Sequence, residues 1–401
     1  MRPAIAGAGA GTRPGPPRRV LAALSITQIT SWGVLYYAFP VALADISADT
    51  GWSAPAATAA FSGGLVVSAL AGIPVGRWLD HHGPRLVMTT GSLLAVPATA
   101  GIALAPTYAW FVVAWLVTGV AMAAVFYQAA FAALIRWYGD RRVRALTILT
   151  LVAGLSSTVF APLTHLLLER YDWRTSYLLL ALLLAVVTVP LHAFALTPPW
   201  VAVGAARAVP HRRRVPDEVR TPSFLLLAGA LTVTAFGLYA ASLALIPLLT
   251  SRGVSSTLAA TTLGLLGAGQ LLGRIGYAPL ASRTTPAGRT VAIVLVSAVP
   301  LALFAAFSGP TALLVGLAVL AGAARGAGTL LQATVVAEHW GAARYGTLAG
   351  FFAAPITAAA AIAPWAGTAL AGITGSYPSM FAVLAVLVSC AAGLAALSAR
   401  R

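Results

Sequence analysis

Apolar residues run along this chain in twelve long stretches, at about 20–44, 53–76, 86–105, 108–136, 145–168, 173–196, 222–249, 255–281, 290–308, 311–337, 346–371 and 376–398. Gly, Pro or charged residues bound each one. A helix needs about 20 mostly apolar residues to cross a bilayer core, and the stretches are of that order. In lipid every backbone N–H and C=O needs an internal partner, so runs this long are predicted as helices rather than open strands. The even number puts both termini on one side.

The arginines say which side. Arg2, Arg13, Arg18 and Arg19 precede the first run, and Arg136, Arg141, Arg142 and Arg144 follow the fourth. Five more, Arg207, Arg212, Arg213, Arg214 and Arg220, sit in the central loop, and Arg400 and Arg401 end the chain. With a cytoplasmic N-terminus only Arg170, Arg174 and Arg252 fall outside, the first two beside Glu169 and Asp172. This asymmetry predicts cytoplasmic termini in a multi-pass protein of the cell membrane, here the cytoplasmic membrane of a bacterium.

The polar stretches then divide the chain. Residues 1–19, rich in Gly, Pro and Arg, form a disordered cytoplasmic tail before a retained first helix, because no small-residue cleavage site follows. Residues 197–221 hold Pro198, Pro199, Pro210 and Pro216 with five arginines, a flexible cytoplasmic linker. The expected domains are a six-helix bundle at 20–196, a second at 222–398, and a cytoplasmic end at 399–401.

Composition narrows the classes. Hydrophobic residues make up 59% of the chain, charged residues 8%, and mean hydropathy is +0.89. A soluble domain would carry about 25% charged residues. The net charge of +16 comes from arginines placed between apolar runs rather than interleaved with aromatics, a topological pattern that argues against nucleic acid. Cys390 is the lone cysteine, which excludes a disulfide framework. The six histidines and nine acids show no metal-ligand spacing, phosphate loop or nucleophile elbow, so neither an enzyme nor a cofactor is implied.

The halves resemble each other. Shifted by 202 residues, Gly51-Trp52-Ser53 falls over Gly253-Val254-Ser255, Asp80 over Ser282, and Ala161-Pro162 over Ala363-Pro364. A shift of 204 brings Gln128 over Gln332 and Tyr177 over Phe381. Parallel six-helix repeats of this kind build the major facilitator fold.

The loop after the second run reads Gly76-Arg77-Trp78-Leu79-Asp80-His81-His82-Gly83-Pro84-Arg85. It resembles the G-x-x-x-D-x-x-G-x-R loop of the major facilitator superfamily. Gly76 permits close helix approach, and Gly83 and Pro84 turn the chain. Asp80 supplies an anion that either pairs with a rim arginine such as Arg136 or caps a neighbouring helix. Gly76, Asp80, Gly83, Arg85 and Arg136 are the expected gating residues. The matching stretch of the second half, Gly273-Arg274 through Ser282-Arg283, departs from the pattern and predicts a weaker gate.

Trp137-Tyr138-Gly139-Asp140-Arg141-Arg142, and Ala363-Pro364-Trp365-Ala366-Gly367 with Thr374-Gly375-Ser376-Tyr377, resemble the fifth helix and last two helices of monocarboxylate transporters and oxalate:formate antiporters. The resemblance implies that Arg274, at the position of their eighth-helix arginine, contacts a substrate carboxylate. Gln270 stands where the animal transporters have an aspartate, so proton symport is not implied. The eleventh-helix lysine of the antiporters has no counterpart.

Arg325 lies near the middle of the tenth run, where a cation costs about 2.5–3.5 kcal/mol unless it faces protein or water. It reads either as a substrate or gating residue or as a structural partner of helix-terminal carbonyls. Arg274, about 9 Å from its helix centre, serves a ligand or snorkels. Gln128 and Gln332, with Gln28, bind a ligand or join helices. Tyr36, Tyr37 and Tyr239 line a cavity or sit at an interface. His165 and His192 are near helix ends. Together these positions predict a monomeric carrier working by alternating access on a small organic anion such as a monocarboxylate, with a coupling proton or counter-ion. Efflux of a drug or secondary metabolite, and a non-transporting sensor or scaffold, are the competing expectations.

Overall fold

The structure, a computed structural model, describes residues 18–200 and 215–398. Most of the expected tail and linker, and the last three residues, lie outside the described residues.

Helices account for nearly all of it. The first half holds α1 (Arg18–Trp32), α2 (Ala38–Thr50), α3 (Ala54–Ala103), α4 (Tyr108–Val125), α5 (Tyr127–Tyr138), α6 (Arg142–Ala153), α7 (Ser156–Leu168) and α8 (Trp173–Ala195). The second holds α9 (Pro222–Thr250), α10 (Ser256–Arg283), α11 (Pro286–Ala306), α12 (Thr311–Trp340), α13 (Tyr345–Thr374) and α14 (Tyr377–Ser398). Several starts are written in the sequence. Ser53, Thr107, Asp172, Thr221, Ser255 and Thr285 each accept the backbone N–H three residues on, which satisfies one orphan donor of the first turn.

The helices do not follow the apolar runs one for one. The first run extends to Thr50 through a π-helical turn at Gly33–Tyr37, where Gly33 abuts the Phe160 ring. The run at 108–136 breaks at Phe126, whose backbone is extended and whose ring stacks on Trp32 at 4.1 Å. The run at 145–168 begins earlier, at Arg142, and is interrupted at Gly154-Leu155. The expected loop at 76–85 is mostly helical. Only Gly83, at φ 82°, breaks it, a conformation that favours glycine.

Among the described residues, nine helical stretches are long and apolar enough to cross a membrane, and two of them, Pro55–Ala103 and Tyr108–Leu168, run to 49 and 61 residues. Large apolar side chains such as Leu70, Val113, Leu182, Phe194, Ile275 and Val386 are exposed around the outside. Water would reject such a surface and a bilayer accepts it. This is an all-helical, multi-pass membrane protein.

Lipid tails give apolar helices little reason to associate, so close packing of small residues matters. The seam between α10 and α12 shows this: a methyl group on Gly273 would lie 1.9 Å from the Ala323 carbonyl oxygen, and one on Gly326 would lie 2.1 Å from that of Gln270. Gly322 and Gly326 beside Arg325 therefore serve helix contact, whereas Gly328 borders open space. One buried apolar cluster joins the halves through Val20, Leu134 and Leu149 on one side and Leu248, Leu331 and Phe352 on the other. A separate cluster of Phe39, Phe61, Phe111, Trp115 and Tyr177 lies wholly in the first half.

Candidate functional site

A cavity of about 1030 Å³ lies between the halves. The first half contributes Tyr36, Tyr37 and Gln128, and the second contributes Tyr239, Gln270, Arg274, Arg325 and Gln332, so all eight candidate binding residues reach its wall. Trp32, Tyr127, Ser242 and Tyr345 line it too, and sequence reasoning passed them over. The break at Phe126 aims Tyr127 inward, a local bend that hydrophobic patterning does not reveal.

Arg325 is fixed by its own half. Its Nη1 donates to Ser242 Oγ at 3.2 Å, and the guanidinium stands 3.9 Å from the centroid of the Tyr239 ring, close enough for a cation–π contact. Among the described residues that line the cavity, none is acidic. Arg274 works differently. It is buried, and Nη1 on α10 donates to the Thr150 carbonyl of α6 at 2.9 Å, crossing between halves. Of the two readings of Arg274, snorkelling to the surface gives way here to a bond to the other half. Gln128 Nε2 donates to the Gly72 carbonyl at 3.0 Å and ties α5 to α3. Gln28 is fully buried and donates to the Val125 carbonyl at 2.6 Å, a helix-joining contact.

Next to Tyr345 of the cavity wall, the start of α13 meets a rim built around Asp80. Asp80 is buried, with Oδ1 accepting from Gly346 N at 3.0 Å and Oδ2 from Thr347 N at 2.7 Å. Those N–H groups belong to the first turn of α13, where unpaired donors and the helix dipole favour an anion. Arg136 Nη2 lies 3.8 Å from Asp80, and its Nε donates to the Ala342 carbonyl at 3.1 Å. Asp80 therefore pairs with the rim arginine and caps the neighbouring helix at once. Close approach beneath it depends on glycine, since a methyl group on Gly76 would fall 2.0 Å from the Gly346 carbonyl oxygen.

Arg85 does not join this rim. Its Nε donates to the Ala193 carbonyl at 2.7 Å, on the exposed side of α8. Gly83 instead backs Trp200, at the start of the linker. Trp200 Nε1 donates to the Asp80 carbonyl at 3.2 Å, and its ring lies 4.3 Å from the Arg136 guanidinium. The linker thus presses on the rim. On its far end, Glu218 pairs with Arg344, just ahead of α13.

The second half has its own charged cluster, also unforeseen because Arg289 sits just before an apolar run. Arg289 is buried, pairs with Glu338, and donates from Nε to the Tyr277 hydroxyl at 3.1 Å. That hydroxyl lies 2.6 Å from Thr334 Oγ1. All four residues belong to one half. His165 and His192 lie apart from the cavity: exposed His165 meets Glu169 at 3.1 Å, and buried His192 meets Ser92 at 2.7 Å.

Comparison with known proteins decides the family. Residues 21–311 match the Major Facilitator Superfamily. The chain belongs to the Major Facilitator Superfamily. It is a membrane transporter of small molecules and not an enzyme. Among similar chains, the rat protein named monocarboxylate transporter 13 is 29% identical over 384 residues, covering 93% of this chain and 85% of its own. The fold matches that of the E. coli fucose:proton symporter, with a TM-score of 0.68 at 16% identity, covering 94% of this chain and 98% of that one. It also matches the human organic anion transporter MFSD10, with a TM-score of 0.70 at 15% identity, covering 96% and 100%.

Proposed function

We propose that this protein carries a small organic anion, of the monocarboxylate kind, by alternating access. The observation that carries the reading is Arg325: a cation held in mid-helix, on the wall of a cavity whose described lining residues include no acid. A positive potential in a low-dielectric cleft concentrates anions. The name of the rat relative agrees with this chemistry.

The proposed architecture is twelve spans in two six-helix bundles, 20–196 and 222–398, with both termini in the cytoplasm. The 49- and 61-residue stretches are each long enough to cross twice, with the chain turning at Gly83 and near Gly139, and α10, 28 residues long, supplies the twelfth span. The Asp80 rim is then cytoplasmic, in keeping with its arginines. Opening it means parting Asp80 from α13 and Arg274 from Thr150. Binding residues are Arg325, Arg274, Gln270, Tyr36, Tyr37, Gln128, Tyr239 and Gln332. Gating residues are Gly76, Asp80, Gly83 and Arg136, with Arg85 outside the contact.

Counterflow tests this. Proteoliposomes preloaded with one carboxylate are expected to accumulate labelled carboxylate from outside. Movement of amphipathic drugs and no carboxylate would support an exporter instead, and exchange of nothing across a broad panel would support a scaffold.

A further inference from the structure

The two walls of the cavity differ in chemistry. The first half offers Trp32, Tyr36, Tyr37, Phe126, Tyr127 and Phe131, six aromatic rings and no charge. The rings form a connected surface. Trp32 stacks on Phe126 at 4.1 Å and meets Tyr127 at 5.2 Å and Tyr36 at 5.4 Å. Tyr36 meets Tyr37 edge-on at 5.1 Å, and Tyr127 stacks on Phe131 at 5.0 Å. The second half faces them with three rings, Tyr239, Tyr345 and Phe352, and with the two charged residues among the described lining, Arg274 and Arg325.

We propose that the cargo is an aromatic monocarboxylate, its ring against the first-half wall and its carboxylate on Arg325. This rests on the anion-carrier reading above and names the substrate class of that site. A guanidinium presents five N–H donors in a fork suited to a carboxylate, and Ser242 takes one of them. The Tyr239 ring beneath Arg325 holds the plane of that fork. Tyr36, Tyr37 and Arg325 all line this one cavity, so the ring wall and the cation face the same enclosed space.

Size points the same way. A cavity of about 1030 Å³ lies at the top of the roughly 300–1,000 Å³ range of sites for drug-sized ligands. A two- or three-carbon acid would engage the arginine and leave the aromatic wall to water. An aryl acid covers both, because aromatic rings pair offset or edge-on at centroid separations of about 4.5–7 Å. The separations already present in the wall fall near that range.

Uptake of labelled benzoate by proteoliposomes holding the full chain, competed by unlabelled acetate, L-lactate, cyclohexanecarboxylate and benzamide, tests the proposal. Benzoate is expected to compete at least about tenfold better than acetate or L-lactate, a difference of about 1.4 kcal/mol, and better than cyclohexanecarboxylate. Tyr37→Leu is expected to shrink the preference of benzoate over acetate at least threefold. Trp32→Phe, which retains a ring inside the packed cluster, is expected to keep the preference. If acetate or L-lactate competes as well as benzoate, the aromatic proposal falls and the anion carrier stands. If benzamide competes as well as benzoate, the anion reading itself falls.

Discussion

The first half of the chain turns its rim acid toward the other half, whereas the second half keeps its rim ion pair to itself. At the 202-residue offset Asp80 corresponds to Ser282, and Arg136 corresponds to Glu338. Asp80 accepts two N–H groups of α13, so its bonds cross between halves. Glu338 binds Arg289, and Tyr277 and Thr334 complete the cluster inside one half. Related positions have thus taken opposite jobs. In the proposed cycle the Asp80 contact must break at each turnover, while the Arg289 contact keeps a moving body rigid.

Substitutions can break this contrast. The largest expected effect is on stability: Arg289→Ala removes the buried partner of the partly buried Glu338 carboxylate and should cost about 3 kcal/mol. Denaturant unfolding of the purified protein would show it, with Glu338→Gln milder. Next comes Asp80→Ala, which removes charge-assisted hydrogen bonds of about 1.5–3 kcal/mol each. Because the open-rim state lacks these bonds as well, their loss should act chiefly on the closed-to-open equilibrium and speed labelling of Ala349→Cys, in a Cys390→Ala background, by at least about tenfold from the Asp80 side. Were Arg289→Ala to open the rim more than Asp80→Ala, the division of labour would be wrong.

Trp200→Ala sharpens the contrast at smaller scale. Loss of its contact with Arg136 should be worth about 1 kcal/mol and raise the same labelling roughly fivefold. The smallest effect belongs to Glu218 and Arg344. Burial pushes the Glu218 carboxyl up, but a backbone hydrogen bond and Arg344 outweigh it and hold the group below the ordinary glutamate range. A depressed carboxylate contributes above its unfolded pKa and loses that contribution as pH falls through the folded value. Acidification should therefore loosen this end of the linker, by no more than about 1 kcal/mol for a pair so exposed. A labelling profile from neutral pH downward, flattened by Glu218→Gln, would show it.

Much of this was legible in the sequence for simple reasons. Long apolar runs can only be helices in lipid, and a cation such as Arg325 in mid-span must face a cavity or protein. The G-x-x-x-D-x-x-G-x-R spacing marked the Asp80 loop. What stayed hidden depends on contacts between distant segments. The Phe126 break arises where Phe126 stacks on Trp32, and Trp200 matters only because Gly83 makes room for it. Arg289 lies just before an apolar run, where the residue pattern carries no sign that a turn of helix brings it into the buried cluster around Tyr277. Arg85 fits the loop pattern yet bonds Ala193 rather than the rim.

The central claim is that Arg325 binds the cargo and the Asp80 rim controls access to it. Its most direct test measures equilibrium binding and counterflow of the fastest-exchanged labelled carboxylate, in Arg325→Ala and Asp80→Ala side by side. The account predicts that Arg325→Ala loses binding and counterflow together, whereas Asp80→Ala still binds but exchanges at an altered rate. Undiminished binding by Arg325→Ala, or unchanged exchange by Asp80→Ala, would contradict it.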